Sequence, residues 1–183
     1  MKIFLDCDGV LFNLAQSIAD WFEIENYTPK MINRWDSFLE ITNLPEKQFY
    51  SSIATPDFWE NLEFYPEAEN LISELLHITS NITLLTTPAR GCAGYRQNLI
   101  RKKLPHFYRK GKYLIGPDKA ACANQDTILI DDYFINTERF QRKGGYSILY
   151  PQYWNKWWNI DDPQTKIQWT LSKIEIFNKI MKK

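Results

Sequence analysis

The chain has 183 residues, 44% hydrophobic and 24% charged, a composition that suits one domain, or one core with a modest insertion, without help from cross-links. Lysine plus arginine equals aspartate plus glutamate at 22 each, so no global field points to a nucleic-acid or membrane partner. Three cysteines (Cys7, Cys92, Cys122) without paired spacing argue against a disulfide framework or a zinc site, and two distant histidines, His77 and His106, argue against a histidine triad.

A short apolar run, Lys2–Leu5, leads directly into Asp6-Cys7-Asp8-Gly9. A cleaved leader would remove that run with the acidic motif, and no apolar stretch approaches the ~20 residues that span a bilayer. The expectation is a cytoplasmic protein with no membrane partner. From about residue 14 to residue 65 the chain shows helix-like segments and no convincing buried strand. Twelve aromatics crowd Phe12 to Tyr65, and the stretch reads as a small helical insertion after the first strand. Pro66 is placed to open a helix carrying Ala68, Leu71, Ile72, Leu75 and Leu76 at helical spacing.

The run Ile82–Leu85 is the next predicted strand, and Thr86-Thr87-Pro88 follows it. Tyr95–Leu104 offers Leu99, Ile100 and Leu104 as one apolar side. Further strands are predicted at Tyr113–Ile115, Thr127–Ile130 and Tyr146–Tyr150. Lys119 falls in the loop before the fourth strand, and Asp131-Asp132 at its end. Trp154, Trp157 and Trp158 read as packing on the last helix or as an interface, which leaves a homodimer open. Residues 163–182 form that amphipathic helix, with Ile167, Leu171, Ile174, Phe177 and Met181 on one stripe. Continuous apolar runs suit strands buried on both faces, and their alternation with helices predicts a doubly wound parallel α/β sheet.

Ligands bind outside the carboxyl ends of the strands in such a sheet, and three strand ends deliver polar groups there. Asp6, Asp131 and Asp132 would bring three negative charges together. Mg²⁺, a hard cation that takes oxygen ligands, would relieve the repulsion, and Lys119 would let a phosphate enter. Asp6 is placed to attack phosphorus, and Asp8 to protonate the leaving oxygen and then activate water. Thr86 can donate to a phosphoryl oxygen, and Gly9 permits an unusual backbone angle or a close approach by the substrate. Each piece has an ordinary reading on its own, as a turn, a cap or a surface charge; the conjunction at strand ends carries the argument.

The set Asp6-Cys7-Asp8-Gly9-Val10, Thr86, Lys119 and Asp131-Asp132 resembles the haloacid-dehalogenase-like superfamily of phosphohydrolases over the whole chain. The resemblance implies a Rossmann-like core at 1–13 and 66–183 with a helical cap of the C1 type at 14–65. It makes Asp6 the nucleophile, Asp8 the general acid/base, and Thr86 and Lys119 phosphate ligands. Metal would be held by Asp6, the backbone carbonyl of Asp8, Asp131 and Asp132. Transport ATPases lack an aspartate at the Asp8 position, as do haloacid dehalogenases, and response-regulator receivers carry their acidic pair on the first strand.

Within the superfamily the stretches 6–14, 55–75, 84–90 and 117–136 are most similar to 5'(3')-deoxyribonucleotidases. Thr87 stands where those enzymes have serine, and Glu67 where they have glycine. Thr87 and Arg90 are added as candidate phosphate contacts, and Phe12 and Trp35 as candidate substrate contacts from the cap. The implied partner is a small phosphomonoester, a deoxynucleotide first. Another small phosphomonoester, a polynucleotide 3'-phosphate (disfavoured by the neutral charge) and a catalytically silent phosphate-binding module are the alternatives.

Overall fold

The computed structural model describes residues 1–181; the last position of the predicted 163–182 helix lies outside the described residues. Five strands form one sheet: β1 (Lys2–Leu5), β2 (Ile82–Thr86), β3 (Tyr113–Ile115), β4 (Thr127–Asp131) and β5 (Tyr146–Leu149). Every pairing is parallel and the order is β3-β2-β1-β4-β5. In register, Ile3 lies between Ile82 and Ile128, and Leu5 between Leu84 and Ile130. The chain winds outward from β1 through β2 to β3, then returns to the other side of β1 for β4 and β5. The reversal puts the topological switch point between β1 and β4, where a crevice opens at the strands' carboxyl ends.

Branched and leucine side chains on both sides of β1, β2 and β4 bury both faces of the sheet. Ile3, Leu5, Leu84, Ile128 and Ile130 join the larger core, with Leu71, Leu75, Leu99, Ile167 and Ile174 from the flanking helices. Phe4, Leu85 and Leu129 face the other way and meet Phe140. The edge strand β3 departs from the two-face expectation. With a neighbour on one side only, it leaves Leu114 exposed.

Between β1 and β2 the chain forms α1 (Leu14–Trp21), a 3₁₀ turn (Pro29–Met31), α2 (Ser37–Thr42), α3 (Glu46–Ile53), α4 (Pro56–Trp59) and α5 (Ala68–Ile78). Entry and return run side by side: Asn13 N donates to Glu63 O, and Tyr65 N to Leu11 O, both at 2.8 Å. Asn13 caps α1 through Gln16 N, and Thr55 caps α4 through Phe58 N, which satisfies donors the helix starts would otherwise orphan. Ile18, Phe38, Phe49, Ile53, Phe58 and Trp59 belong to the same continuous core as the sheet.

After β2 come α6 (Ala93–Lys103), α7 (Pro105–Arg109), α8 (Phe134–Arg142) and α9 (Pro163–Met181). Pro66 lies just ahead of α5 rather than inside its first turn, and Glu67 takes the cap position. Two predicted stripe residues, Leu76 and Met181, are exposed, because the buried faces run through Ala68, Leu71 and Leu75 on α5 and through Ile167, Thr170, Ile174 and Phe177 on α9. Glu67, the departure from glycine, is buried and has partners: Lys166 Nζ lies at 3.3 Å and the Tyr150 hydroxyl donates to it at 3.2 Å. This knot ties the start of α5 to α9 and to the end of β5. No described helix is long and apolar enough to cross a membrane.

Candidate active site

The β1 and β4 ends meet at the switch point, and their carboxylates meet with them. Asp6, one residue past β1, accepts Cys7 N at Oδ1 (2.7 Å) and faces Lys119 Nζ at Oδ2 (2.6 Å). Asp131, the last residue of β4, accepts Lys119 Nζ at 2.7 Å. It also accepts Tyr133 N at 2.9 Å and the Asn136 amide at 3.1 Å. Lys119 arrives from a 3₁₀ turn (Lys119–Cys122) capped by Asp118, so its ammonium bridges two strand ends.

One oxygen from each of Asp6, Asp131 and Asp132 lies within 4.8 Å of the others. Asp132 Oδ1 is buried with no hydrogen-bond partner. A hard oxygen donor set of this kind, one of whose residues has a carboxylate oxygen without a partner, fits a divalent cation such as Mg²⁺. Gly9 closes the back of the cluster at φ +72°. The unusual backbone angle is present, but a Cβ there would meet Asp132 Oδ2 at 2.2 Å, so the close approach at Gly9 is by Asp132 and not by the substrate.

Asp8 is held differently. Its two oxygens lie 2.5 and 2.6 Å from Nη2 of Arg96, which is fully buried on α6. The guanidinium also lies over the rings of Phe12 (5.6 Å) and Trp59 (5.1 Å). Burial works against the Arg96 charge, but Asp8 outweighs it and raises the group further. The sequence reading passed over Arg96 because it sits in a helix judged by its leucines. A lone arginine in the buried row of a helix, ten residues past the threonines, was the available signal.

A cavity of about 560 Å³ opens over the cluster. Asp6, Asp8 and Lys119 form its floor, and Trp35, Phe38, Phe49, Tyr50, Trp59 and Tyr133 supply aromatic wall. Trp35 is brought there, stacked on Tyr133 at 4.8 Å between centroids. Phe12 is not: it is fully buried and stacked on Phe64 at 4.8 Å, so it packs the base of the insertion.

Of the two threonines, Thr87 borders the cavity, and its hydroxyl donates to Gly116 O at 2.6 Å. The Thr86 hydroxyl is buried beside Cys7 on the Leu84 side of β2, without a hydrogen bond of ordinary geometry. The one Thr87 O–H is thus committed to Gly116 O, and the Thr86 hydroxyl does not line the cavity. Arg90 is exposed and does not reach the cavity. Trp154, read from sequence as packing or interface, instead donates its indole N–H to Asp132 Oδ2 at 2.8 Å. Trp157 packs on Trp169 of α9 at 5.3 Å, as the packing reading anticipated, and Trp158 is exposed.

The electrostatics follow from this crowding. Burial raises Asp6 to about 8, with the Asp131 and Asp8 charges adding and Lys119 opposing. Burial, then Asp131 and Asp6, also holds Asp132 well above the ordinary range. Burial would lower Lys119, yet Asp131 and Asp6 reverse that and keep it protonated. Burial pushes the Cys7 thiol up to about 12, which removes it as a competing nucleophile.

A carboxyl group with a raised folded-state pKa favours folding while protonated and loses that stabilisation as pH rises. The metal-free protein should therefore become less stable between about pH 4 and pH 8, the window set by the Asp6 shift. Thermal melting in EDTA across that window checks this, and Mg²⁺ should restore the lost stability at pH 8. A flat profile in EDTA would show that the cluster carries no such strain.

No family model matches the chain, and no curated protein matches it. Solved structures do. A haloacid dehalogenase-like family hydrolase from Streptococcus pneumoniae superposes with a TM-score of 0.53 at 17% identity, over 80% of this chain and 82% of that one. A hydrolase from Pseudomonas syringae gives 0.48 at 13% identity over 80% and 82%. L-2-haloacid dehalogenase from Xanthobacter autotrophicus gives 0.47 at 13% over 80% and 75%. The first of these shows a shared fold.

Proposed function

We propose that this fold carries a Mg²⁺-dependent phosphomonoesterase that works through an aspartyl-phosphate on Asp6, with deoxynucleoside 5'(3')-monophosphates as the first candidate substrates. The observation that carries the reading is the pairing of Asp6 with Lys119 at the switch point, beside Asp131 and Asp132 at metal-holding distance. In this reading, residues 14–65 act as the cap over the substrate.

With all four carboxyl groups ionised, as a bound cation would favour, the cluster of four carboxylates and two cations carries a formal excess of two negative charges. Asp6, Asp131, Asp132 and the Asp8 carbonyl would hold the cation. When bound, it supplies charge neutralisation and polarises the phosphoryl oxygens. Lys119 binds the phosphoryl group, and Thr87, at the rim, would turn its hydroxyl from Gly116 O to reach it.

An Asp6 oxygen attacks phosphorus as the bond to the ester oxygen breaks; Asp8, which faces Arg96 through both oxygens, first takes a proton from solvent on an oxygen turned away from Arg96 and then gives it to the ester oxygen. Asp8 then takes a proton from water as the water oxygen bonds to phosphorus. Phosphate leaves and the Asp6 carboxylate is restored. Arg96 holds the other Asp8 oxygen through the cycle.

The cavity's size falls in the ~300–1,000 Å³ range of small-molecule sites. Its aromatic walls favour a leaving group with a flat face, as a nucleobase has. Asp36 and Glu46 also line it, which speaks against a polyanionic strand.

The test is phosphate release, with Mg²⁺ and with EDTA, over 5'- and 3'-nucleoside monophosphates in ribo and deoxy forms, phosphosugars and a 3'-phosphorylated oligonucleotide. Magnesium-dependent release, highest for the deoxynucleotides, is expected. Release confined to the phosphosugars would discard the nucleotidase and keep the chemistry. Full release in EDTA would discard the metal. Silence across the panel would favour a phosphate-binding module.

A further inference from the structure

The segment after β5, Tyr150–Asn155, is built as a strap over the acidic pair. Gln152 Nε2 donates to Gly9 O at 2.6 Å, and Asn155 Nδ2 donates to Asp132 O at 3.0 Å. Trp154 Nε1 donates to Asp132 Oδ2, the oxygen nearest to where a Gly9 side chain would intrude. Asp132 thus has one carboxylate oxygen fixed by an indole and the other buried without a partner.

The same indole meets the cavity wall. Trp154 lies edge-on to Trp35 at 6.0 Å and tilted against Phe38 at 6.4 Å. Trp35 stacks on Tyr133, whose backbone N–H donates to Asp131. A closed path therefore runs from Asp132 through Trp154, Trp35 and Tyr133 to Asp131. Both members of the acidic pair are tied to one aromatic group that walls the substrate cavity.

We infer that Trp154 is a positioning residue that aims Asp132 at the cation and couples cation binding to the aromatic wall. The inference rests on the metal reading above. Outer partners of metal ligands orient the ligand, and losing one costs roughly 10- to 100-fold in metal affinity. Coupling through the wall is reciprocal: a ligand that settles Trp35 should bind more tightly with the cation present, and the reverse.

The test titrates the purified full chain with MgCl₂ by calorimetry and by tryptophan fluorescence, as wild type, Trp154→Phe and Trp158→Phe. Phenylalanine keeps a smaller aromatic ring at this position and removes the N–H. Trp154→Phe should bind Mg²⁺ at least about tenfold more weakly, with its melting temperature in EDTA little changed. Trp158→Phe, which alters a 60% exposed ring, should match wild type. Wild-type fluorescence should change with the calorimetric Kd, and most of that change should vanish in Trp154→Phe.

Equal affinity in wild type and Trp154→Phe would overturn the positioning role. If Trp154→Phe fails to fold, a wild-type fluorescence signal that stays flat while calorimetry shows binding would overturn the coupling. No Mg²⁺ binding by wild type would overturn the metal reading itself, and this inference with it.

Discussion

Replacing Asp6 by Asn is expected to lower kcat for phosphate release by at least about 10⁴-fold while the protein stays folded. Loss of an activated nucleophile costs on the order of 10⁴–10⁶ in other hydrolases, because the remaining groups bind and polarise the substrate without offering a covalent route. The amide keeps the carboxylate's shape and withdraws one charge from a crowded buried set. Lys119 retains its contact with Asp131, so it is not left unpaired. Burial and neighbouring charge already raise Asp6 to about 8, so the variant should melt no lower than wild type in EDTA at pH 8. Turnover near the wild-type rate in a folded Asp6→Asn protein would remove Asp6 from the chemistry.

Replacing Arg96 by Met is expected to destabilise the protein by about 3–5 kcal/mol, the usual cost of stripping one partner from a buried ion pair. Arg96 is fully buried, its ion-pair partner is Asp8, and its aliphatic stem is matched in size by methionine. The damage is therefore electrostatic rather than a cavity. Activity should fall as well, by roughly the 10²-fold that a misplaced general acid costs. The double variant Asp8→Asn/Arg96→Met removes both charges and should recover much of the stability without recovering turnover. Urea denaturation of the four proteins in the cycle measures the coupling directly. Additive losses would mean that the Asp8–Arg96 contact contributes little.

Much of the fold was legible because strand burial leaves a simple trace. Ile3, Leu5, Ile82, Leu84, Ile128 and Ile130 stand in short branched runs, and these became paired strands in register. Parallel order then delivered Asp6, Lys119 and Asp131 to one place. What stayed hidden depends on direction and partners rather than on residue type. Thr86 and Thr87 differ by one position, and the alternation along a strand sends their hydroxyls different ways. Phe12 and Trp35 are both aromatics near the acidic motif, yet the bridge of Phe12 to Phe64 buries the first and leaves the second at the cavity. Arg96 and Trp154 reach the site from 88 and 22 residues away in the chain. Local periodicity carries no record of such contacts.

The measurement that bears most directly on the central claim is the mass of the peptide containing Asp6. The enzyme is mixed with Mg²⁺ and its best phosphomonoester, quenched in acid during the first turnover and digested. A gain of one phosphoryl group on Asp6, absent in EDTA and absent from Asp6→Asn, is the predicted result. Rapid phosphate release with Asp6 unmodified at every quench time, and full turnover by Asp6→Asn, would contradict the account.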